Sequence, residues 1–184
     1  MGGDNGLLHI SSKGTKWFKV GSGLRKSIIR KIYEDSDHDI WIATDASIAR
    51  YDPSRDVFNY YVLTDRKGRN SNWAYDIYED QKGFLWIATY MGGLYIVDKK
   101  ALLSGDGIYV VREHPLGKWD DIVNTIYMFQ PDEHGVLWAN TCKGLAAINT
   151  NDMTVSLKQK LYPDKMILAN GAVWLDIQGR LFTA

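Results

Sequence analysis

Trp73 and Tyr90, with Trp119 further along the chain, stand among polar side chains: Arg69 and Asn72 precede Trp73, while Lys118 and Asp120 flank Trp119. Flat aromatic rings stack on the C–H faces of sugars, and neighbouring polar groups fix hydroxyls, which is the usual build of a specific small-molecule site. The same rings would serve equally to pack on their own loops or on a neighbouring domain. The residues alone leave both readings open.

Other chemistry finds less support. The stretch Glu34-Asp35-Ser-Asp37-His38-Asp39 has carboxylates at alternate positions, as a hard cation would want, but lacks the mid-loop Gly and terminal Glu of a Ca²⁺ loop. Turn chemistry is the better expectation there, and no metal site or cofactor is expected. His9, His38, His114 and His134 share no ligand spacing, and Cys142 is the single cysteine. No G-x-S-x-G, phosphate-binding Gly-rich loop or H-E-x-x-H occurs. The chain is therefore expected to be non-catalytic. Lys plus Arg and Asp plus Glu both number 22, so no basic stripe favours nucleic acid and no polybasic segment favours an anionic membrane.

Whatever these residues do, a repeat must position them. Asp80-Gln-Lys-Gly83-Phe-Leu85-Trp86-Ile-Ala-Thr89 has copies at Asp35–Thr44 and Asp132–Thr141, and a fourth begins at Asp176. The aromatic positions 41, 86, 138 and 182 lie 45, 52 and 44 residues apart. Each repeat reads as four short strands. An apolar stretch runs up to the Asp, and a turn follows in which Gly adopts a left-handed backbone at little cost. A second strand then begins at Leu-Trp, a third follows a small-residue turn, and a fourth is β-branched and aromatic. His38 replaces the turn Gly in the first copy, which predicts a longer or differently shaped turn there. Residues 99–107 lengthen the hairpin between third and fourth strands of the middle repeat, whose fourth strand is expected at Ile108–Val111. All four prolines are expected between strands. A four-stranded repeat near this length is a β-propeller blade.

The predicted fold is all-β: a propeller fragment with complete blades at 28–63, 74–112 and 123–158 and a half blade at each end, 6–20 and 171–184. The halves either merge into one composite blade, closing a four-bladed ring, or leave apolar faces and strand edges that favour self-association. Self-association is the expectation, because four blades demand sharp wedging. The once-per-blade tryptophans Trp41, Trp86 and Trp138 read as packing between blades. The inter-blade connections and the second-to-third turns open on one face, so Trp73, Tyr90 and Trp119 should share it with Arg69, Asn72 and Lys118.

Ile77-Tyr78-Glu79-Asp80, Gly83, Leu85-Trp86-Ile87-Ala88-Thr89 and Gly93-Leu94 resemble the two-component regulator propeller repeat of bacterial hybrid sensors. The third repeat departs from it, with Gln130-Pro131 for Tyr-Glu and Ala139-Asn140 for Ile-Ala. The resemblance implies a periplasmic sensor region of a larger protein, usually a seven-bladed ring, followed by a membrane span and a histidine kinase. It implies an oligosaccharide ligand from polysaccharide breakdown, with neighbouring blades and domains of the parent as further partners. A protein-interaction scaffold and a propeller lyase are the alternatives.

Overall fold

The computed structural model describes residues 2–3, 5–26, 28–71, 73–105, 108–110, 112–114, 124–160, 173–175 and 181–183. The strands are β1 (Gly2–Gly3), β2 (Gly6–Ser11), β3 (Gly14–Val20), β4 (Gly23–Leu24), β5 (Ile29–Glu34), β6 (Ile40–Thr44), β7 (Ser47–Asp52), β8 (Val57–Thr64), β9 (Ala74–Glu79), β10 (Phe84–Thr89) and β11 (Gly93–Asp98). A short helix α1 (Lys99–Ser104) follows, then β12 (Ile108–Val110), β13 (Arg112–His114), β14 (Ile126–Pro131), β15 (Val136–Thr141), β16 (Gly144–Asn149), β17 (Thr154–Lys160), β18 (Val173–Leu175) and β19 (Leu181–Thr183). No helix among the described residues is long and apolar enough to cross a membrane.

Three four-stranded antiparallel meanders form blades: β5 to β8, then β9, β10, β11 with β13, then β14 to β17. Successive side chains of a strand point to opposite faces of its sheet. In blade one, Ile42, Ala49, Phe58 and Tyr60 meet Leu7 and Phe18 of the first sheet, while Trp41, Ala43, Ile48 and Tyr61 meet Ile77, Leu85, Ile87 and Tyr95 of blade two. Trp86, Ala88, Leu94 and Ile96 on the other face of blade two then meet Ile126, Phe129, Leu137 and Ala139 of blade three. In blades one and two the motif tryptophan thus faces the following blade. Trp41 and Trp86 are fully buried.

One turn recurs at the lower end of every blade. Asp35, Asp80 and Asp132 each accept two backbone N–H groups on Oδ1, from residues two and four positions on, at 2.8–2.9 Å. Each Oδ2 accepts the indole N–H of the motif tryptophan six residues on, at 2.8, 2.8 and 3.1 Å. The carboxylate therefore fixes the turn and the rotamer of the ring that fills the blade interface. Gly83 and Gly135 take φ +79 and +78, and His38 takes φ +63. The first turn thus has the shape of the others: His38 N donates to Asp35 O as Gly83 N does to Asp80 O, both at 3.0 Å. A carboxylate with two N–H ligands dictates the backbone, and His38 accepts the strain.

Several boundaries differ from the sequence reading. Ile108–Val110 is not the fourth strand of blade two. It pairs in parallel with Val62–Thr64 at the outer edge of blade one, and Arg112–His114 forms the outer strand of blade two against Leu94–Ile96. The extra residues 99–107 begin as a helical turn, capped when Asp98 Oδ1 accepts Ala101 N at 3.1 Å. β12 covers an otherwise open strand edge, a liability in any sheet. Pro131 ends β14, opposite Leu137, where a strand terminus tolerates the missing N–H. The first sheet holds four short strands, β1-β2-β3-β4, where a two-stranded half was expected. At the other end β18 and β19 pair only with each other among the described residues.

A buried ammonium strengthens the lower junction of blades one and two. Lys99, the first residue of α1, is 3% exposed; its Nζ lies 3.1 Å from Asp35 Oδ2 and 2.8 Å from Asp37 Oδ2, and also pairs with Glu79. Glu79 Oε2 in turn accepts Ser36 N at 2.7 Å. The carboxylates that suggested a cation site in the sequence are occupied by turn N–H groups, by Lys99 and, for Asp39, by Arg50 at 2.7 Å.

Candidate functional site

The upper ends of the blades carry the second-to-third turns and the inter-blade connections. The connection after β8 opens with a turn like those below: Asp65 Oδ1 accepts Lys67 N and Arg69 N at 2.8 Å each, and Gly68 takes φ +75. Arg69, four residues after the Asp where the motif tryptophans stand six, supplies the second donor, its Nε donating to Asp65 Oδ2 at 2.6 Å. Burial pushes the Asp65 carboxyl up, and the Arg69 and Lys67 N–H donors with the Arg69 charge more than reverse it, so it sits below its ordinary range. Arg69, expected at the ligand face, is thus engaged in holding the connection. Asn72, Lys118 and Trp119 lie outside the described residues, as does Asp120.

Beyond Arg69 the connection is fastened to the turn of blade two. Ser71 Oγ donates to Tyr90 O at 2.6 Å, Ser71 N to Tyr95 Oη at 3.1 Å, and Tyr90 N to Trp73 O at 2.9 Å. A Cβ on Gly92 would stand 2.6 Å from Ser71 Cβ and 2.7 Å from Thr89 Oγ1, so only glycine lets the two segments approach this closely. The next connection is tied to the same turn, since Met91 N donates to Thr125 Oγ1 at 2.9 Å and Asn124 Nδ2 to Met91 O at 3.0 Å.

On this frame the rings of Trp73 and Tyr90 meet, with centres 4.8 Å apart and planes 34° apart. Tyr75 lies 6.1 Å from Tyr90, stacked, and 5.4 Å from Tyr127, edge to face. The Arg30 guanidinium sits 4.2 Å over Tyr75 and 6.0 Å from the Trp73 ring centre. Arg30 Nε and Nη2 both donate to Asp45 Oδ1, at 3.1 and 2.7 Å. Tyr127 Oη and Cys142 Sγ are 3.1 Å apart. Burial raises the Tyr75 phenol above its ordinary value, and burial with the Cys142 contact raises that of Tyr127. Both remain O–H groups at neutral pH. Trp73 is 43% exposed and forms the outermost ring.

The expected pairing of Trp73 with Tyr90 is therefore present, whereas Arg30, Asp45, Tyr75 and Tyr127 were missed. Their signal was positional. Arg30, Tyr75 and Tyr127 are each the second residue of a blade's innermost strand, and Asp45, Tyr90 and Cys142 each follow the motif threonine. The threonine hydroxyl closes that turn by donating to Ser47, Gly93 or Gly144 O at 3.0, 2.7 and 2.7 Å. Two variable positions per blade, held by an unvarying frame, make the upper face.

Recesses of about 510 Å³ beside His9, Lys16 and Asp56, and of about 360 Å³ beside Tyr78, Asp80 and His134, open at the lower ends. Lys16 is paired with Asp56 there. No group of three or more His, Cys, Asp or Glu converges as a metal ligand set among the described residues. What the upper face can do is hold a flat, hydroxyl-bearing molecule against aromatic carbon beside paired polar groups.

The meanders, the Asp–Trp turns and the blade-to-blade tryptophans define a propeller built from repeats. The model of the two component regulator propeller family matches residues 23–46 and 68–91, so those two segments are repeats of that family. A search of curated proteins finds no match. Two crystal structures of the extracellular domain of BT4673 from B. thetaiotaomicron, described as a hybrid two component system in one and as a one component system in the other, superpose with a TM-score of 0.82 at 32% and 31% identity, over 100% of this chain and 26% of theirs. The extracellular domain of BT3049 from the same organism, at 18% identity and a TM-score of 0.55 over 98% of this chain and 28% of its own, shares the fold. The chain spans about a quarter of the length of these solved domains.

Proposed function

We propose that this chain is part of the extracytoplasmic sensing propeller of a hybrid two-component histidine kinase, and that its upper face binds an oligosaccharide. The family repeats and the likeness to extracellular domains of such systems support the cellular role. One observation carries the ligand class: Trp73, an exposed indole fixed through its backbone and its ring to Tyr90, on the face where two connections and a turn are tied together. A sugar's C–H face would lie on that ring. The segment does no chemistry of its own in this reading. It transmits only if the ligand binds one arrangement of the parent's subunits more tightly than another.

Tryptophan fluorescence titrated with a glycan library tests the proposal. A saturable change that Trp73→Ala abolishes supports it, and binding that survives both Trp73→Ala and Trp119→Ala removes these rings from the site. A second reading, a blade surface that binds protein, draws on the outer face of the first sheet, where Trp17 is 51% and Ile10 65% exposed beside Leu8, the cross-strand partner of Trp17. Light scattering at micromolar concentration distinguishes them, because Trp17→Lys would abolish association through that face and leave glycan binding intact.

A further inference from the structure

The Arg30–Asp45 pair stands beside the aromatic platform and is the one place on the described upper face where two oppositely charged side chains meet a ring. Arg30 is 23% and Asp45 15% exposed at the side chain. Both donors in their contact, Nε and Nη2, converge on a single carboxylate oxygen. Arg30 Nη1 and Asp45 Oδ2 then have no partner among the described residues. A guanidinium carries five N–H donors in a fixed plane and a carboxylate only acceptors, so the pair presents donors and an acceptor side by side. The plane of Arg30 is held by the Tyr75 ring below it, 4.2 Å away, and by Asp45 at its edge.

From this geometry, and resting on the oligosaccharide reading above, we infer that Arg30 and Asp45 read two adjacent hydroxyls of an uncharged sugar ring stacked on Trp73. One hydroxyl accepts from Arg30 Nη1 and the other donates to Asp45 Oδ2. A vicinal diol offers both a donor and an acceptor, and each bond is charge-assisted, hence stronger than a neutral one. The same pair selects against acidic sugars. The Arg30 charge is already balanced by Asp45, so a uronate or sulfate brought to Nη1 would also face the Asp45 carboxylate. Like charges brought together disfavour the wrong ligand, which is specificity by repulsion.

The test uses the full chain and three probe sets: neutral oligosaccharides with free vicinal hydroxyls, the same compounds O-methylated, and uronate-containing or sulfated oligosaccharides. Binding is read by tryptophan fluorescence and calorimetry, with folding followed by circular dichroism. Neutral probes should bind, and Asp45→Asn or Arg30→Met should weaken them at least about tenfold, the worth of one charge-assisted hydrogen bond. Methylation should cost the same in the unaltered chain, which keeps the inference testable if a variant fails to fold. Asp45→Asn should also turn the preference toward the acidic probes, an outcome that a purely structural role for Asp45 would not produce. Preferential binding of acidic probes by the unaltered chain, or neutral binding indifferent to methylation and to both variants, would overturn the inference; if that binding still required Trp73, the sensing proposal would stand. Absence of any Trp73-dependent binding in all three sets would overturn both.

Discussion

The two ends of each blade solve different problems with the same strands. At the lower end, Asp35, Asp80 and Asp132 each direct one oxygen to two backbone N–H groups and the other to an indole. At the upper end the corresponding positions change from blade to blade. The innermost strands offer Arg30, Tyr75 and Tyr127, the turns offer Asp45, Tyr90 and Cys142, and each blade brings its own two together or nearly so. What repeats holds the blades together, and what varies stands on that frame at the upper face. This division of labour is expected wherever rigid elements present variable loops.

The largest expected effect tests the lower end. Trp86→Ala removes a fully buried ring between blades two and three and leaves Asp80 Oδ2 without its indole donor. It should cost about 3–5 kcal/mol in urea-monitored stability. Trp138, partly exposed, makes the same hydrogen bond at 3.1 Å, and Trp138→Ala should cost clearly less. Equal losses would show that the bond to the carboxylate, and not the burial, dominates.

Lys99→Met comes next. It leaves Asp35 and Glu79 buried without their cation, and breaking a buried pair in this way costs about 3 kcal/mol or more. Its pH dependence carries a sign. Burial pushes the Asp35 carboxyl up, but the Trp41 indole, the Asp39 N–H and Lys99 more than reverse this, so its folded pKa lies below the ordinary value. A depressed carboxylate pKa contributes stability above the unfolded value, about 3.9, that disappears as pH falls through the folded value. Removing Lys99 should shrink that acid-side loss. A Lys99→Met chain with an unchanged stability profile below pH 5 would show that the cluster contributes nothing.

Trp73→Ala tests the upper end and should cost only about 1 kcal/mol, since the ring is 43% exposed and loses chiefly its contact with Tyr90. Thermal denaturation beside Trp86→Ala makes the comparison direct. A loss as large as that of Trp86→Ala would make Trp73 part of the frame and remove the distinction between the ends.

Legibility in the sequence follows the same line. The three meanders and the buried motif tryptophans could be read because Asp, Gly, Leu-Trp and Thr recur in step. The parallel strand Ile108–Val110 could not, since its β-branched pattern suits any strand edge and only the helical turn at Lys99–Ser104 decides which edge it reaches. Trp73 and Tyr90 stood out as aromatics in connections. Arg30 and Asp45 did not, because a single Arg and a single Asp 15 residues apart meet only when β5 pairs with β6, which places Ile29 opposite Thr44. Arg69 reads in the sequence only as a polar neighbour of Trp73; its tie to the Asp65–Gly68 turn, an Asp-x-x-Gly like those at Asp80 and Asp132, emerges from the fold.

The smallest effect concerns the one lower turn whose residue type breaks the pattern. His38 holds φ +63 where the other blades place Gly, and a side chain in that left-handed region is strained by its Cβ. His38 Nδ1 donates to Glu34 Oε1 at 2.7 Å, and this hydrogen bond, with the Glu34 charge, raises the imidazole pKa above its ordinary value. A raised histidine pKa contributes stability that is complete below the unfolded value, about 6.5, and is lost as pH rises through the folded value. Below that window the ion pair partly offsets the strain; above it the strain stands alone. His38→Gly should therefore raise Tm, and raise it more at pH 8.5 than at pH 5.5, with the turn otherwise unchanged because Asp35 still gathers the N–H groups of Asp37 and Asp39. A gain that is larger at pH 5.5 would mean the Glu34 contact destabilises the turn. No gain at either pH would mean that the left-handed backbone at this position costs nothing the rest of the turn does not already recover.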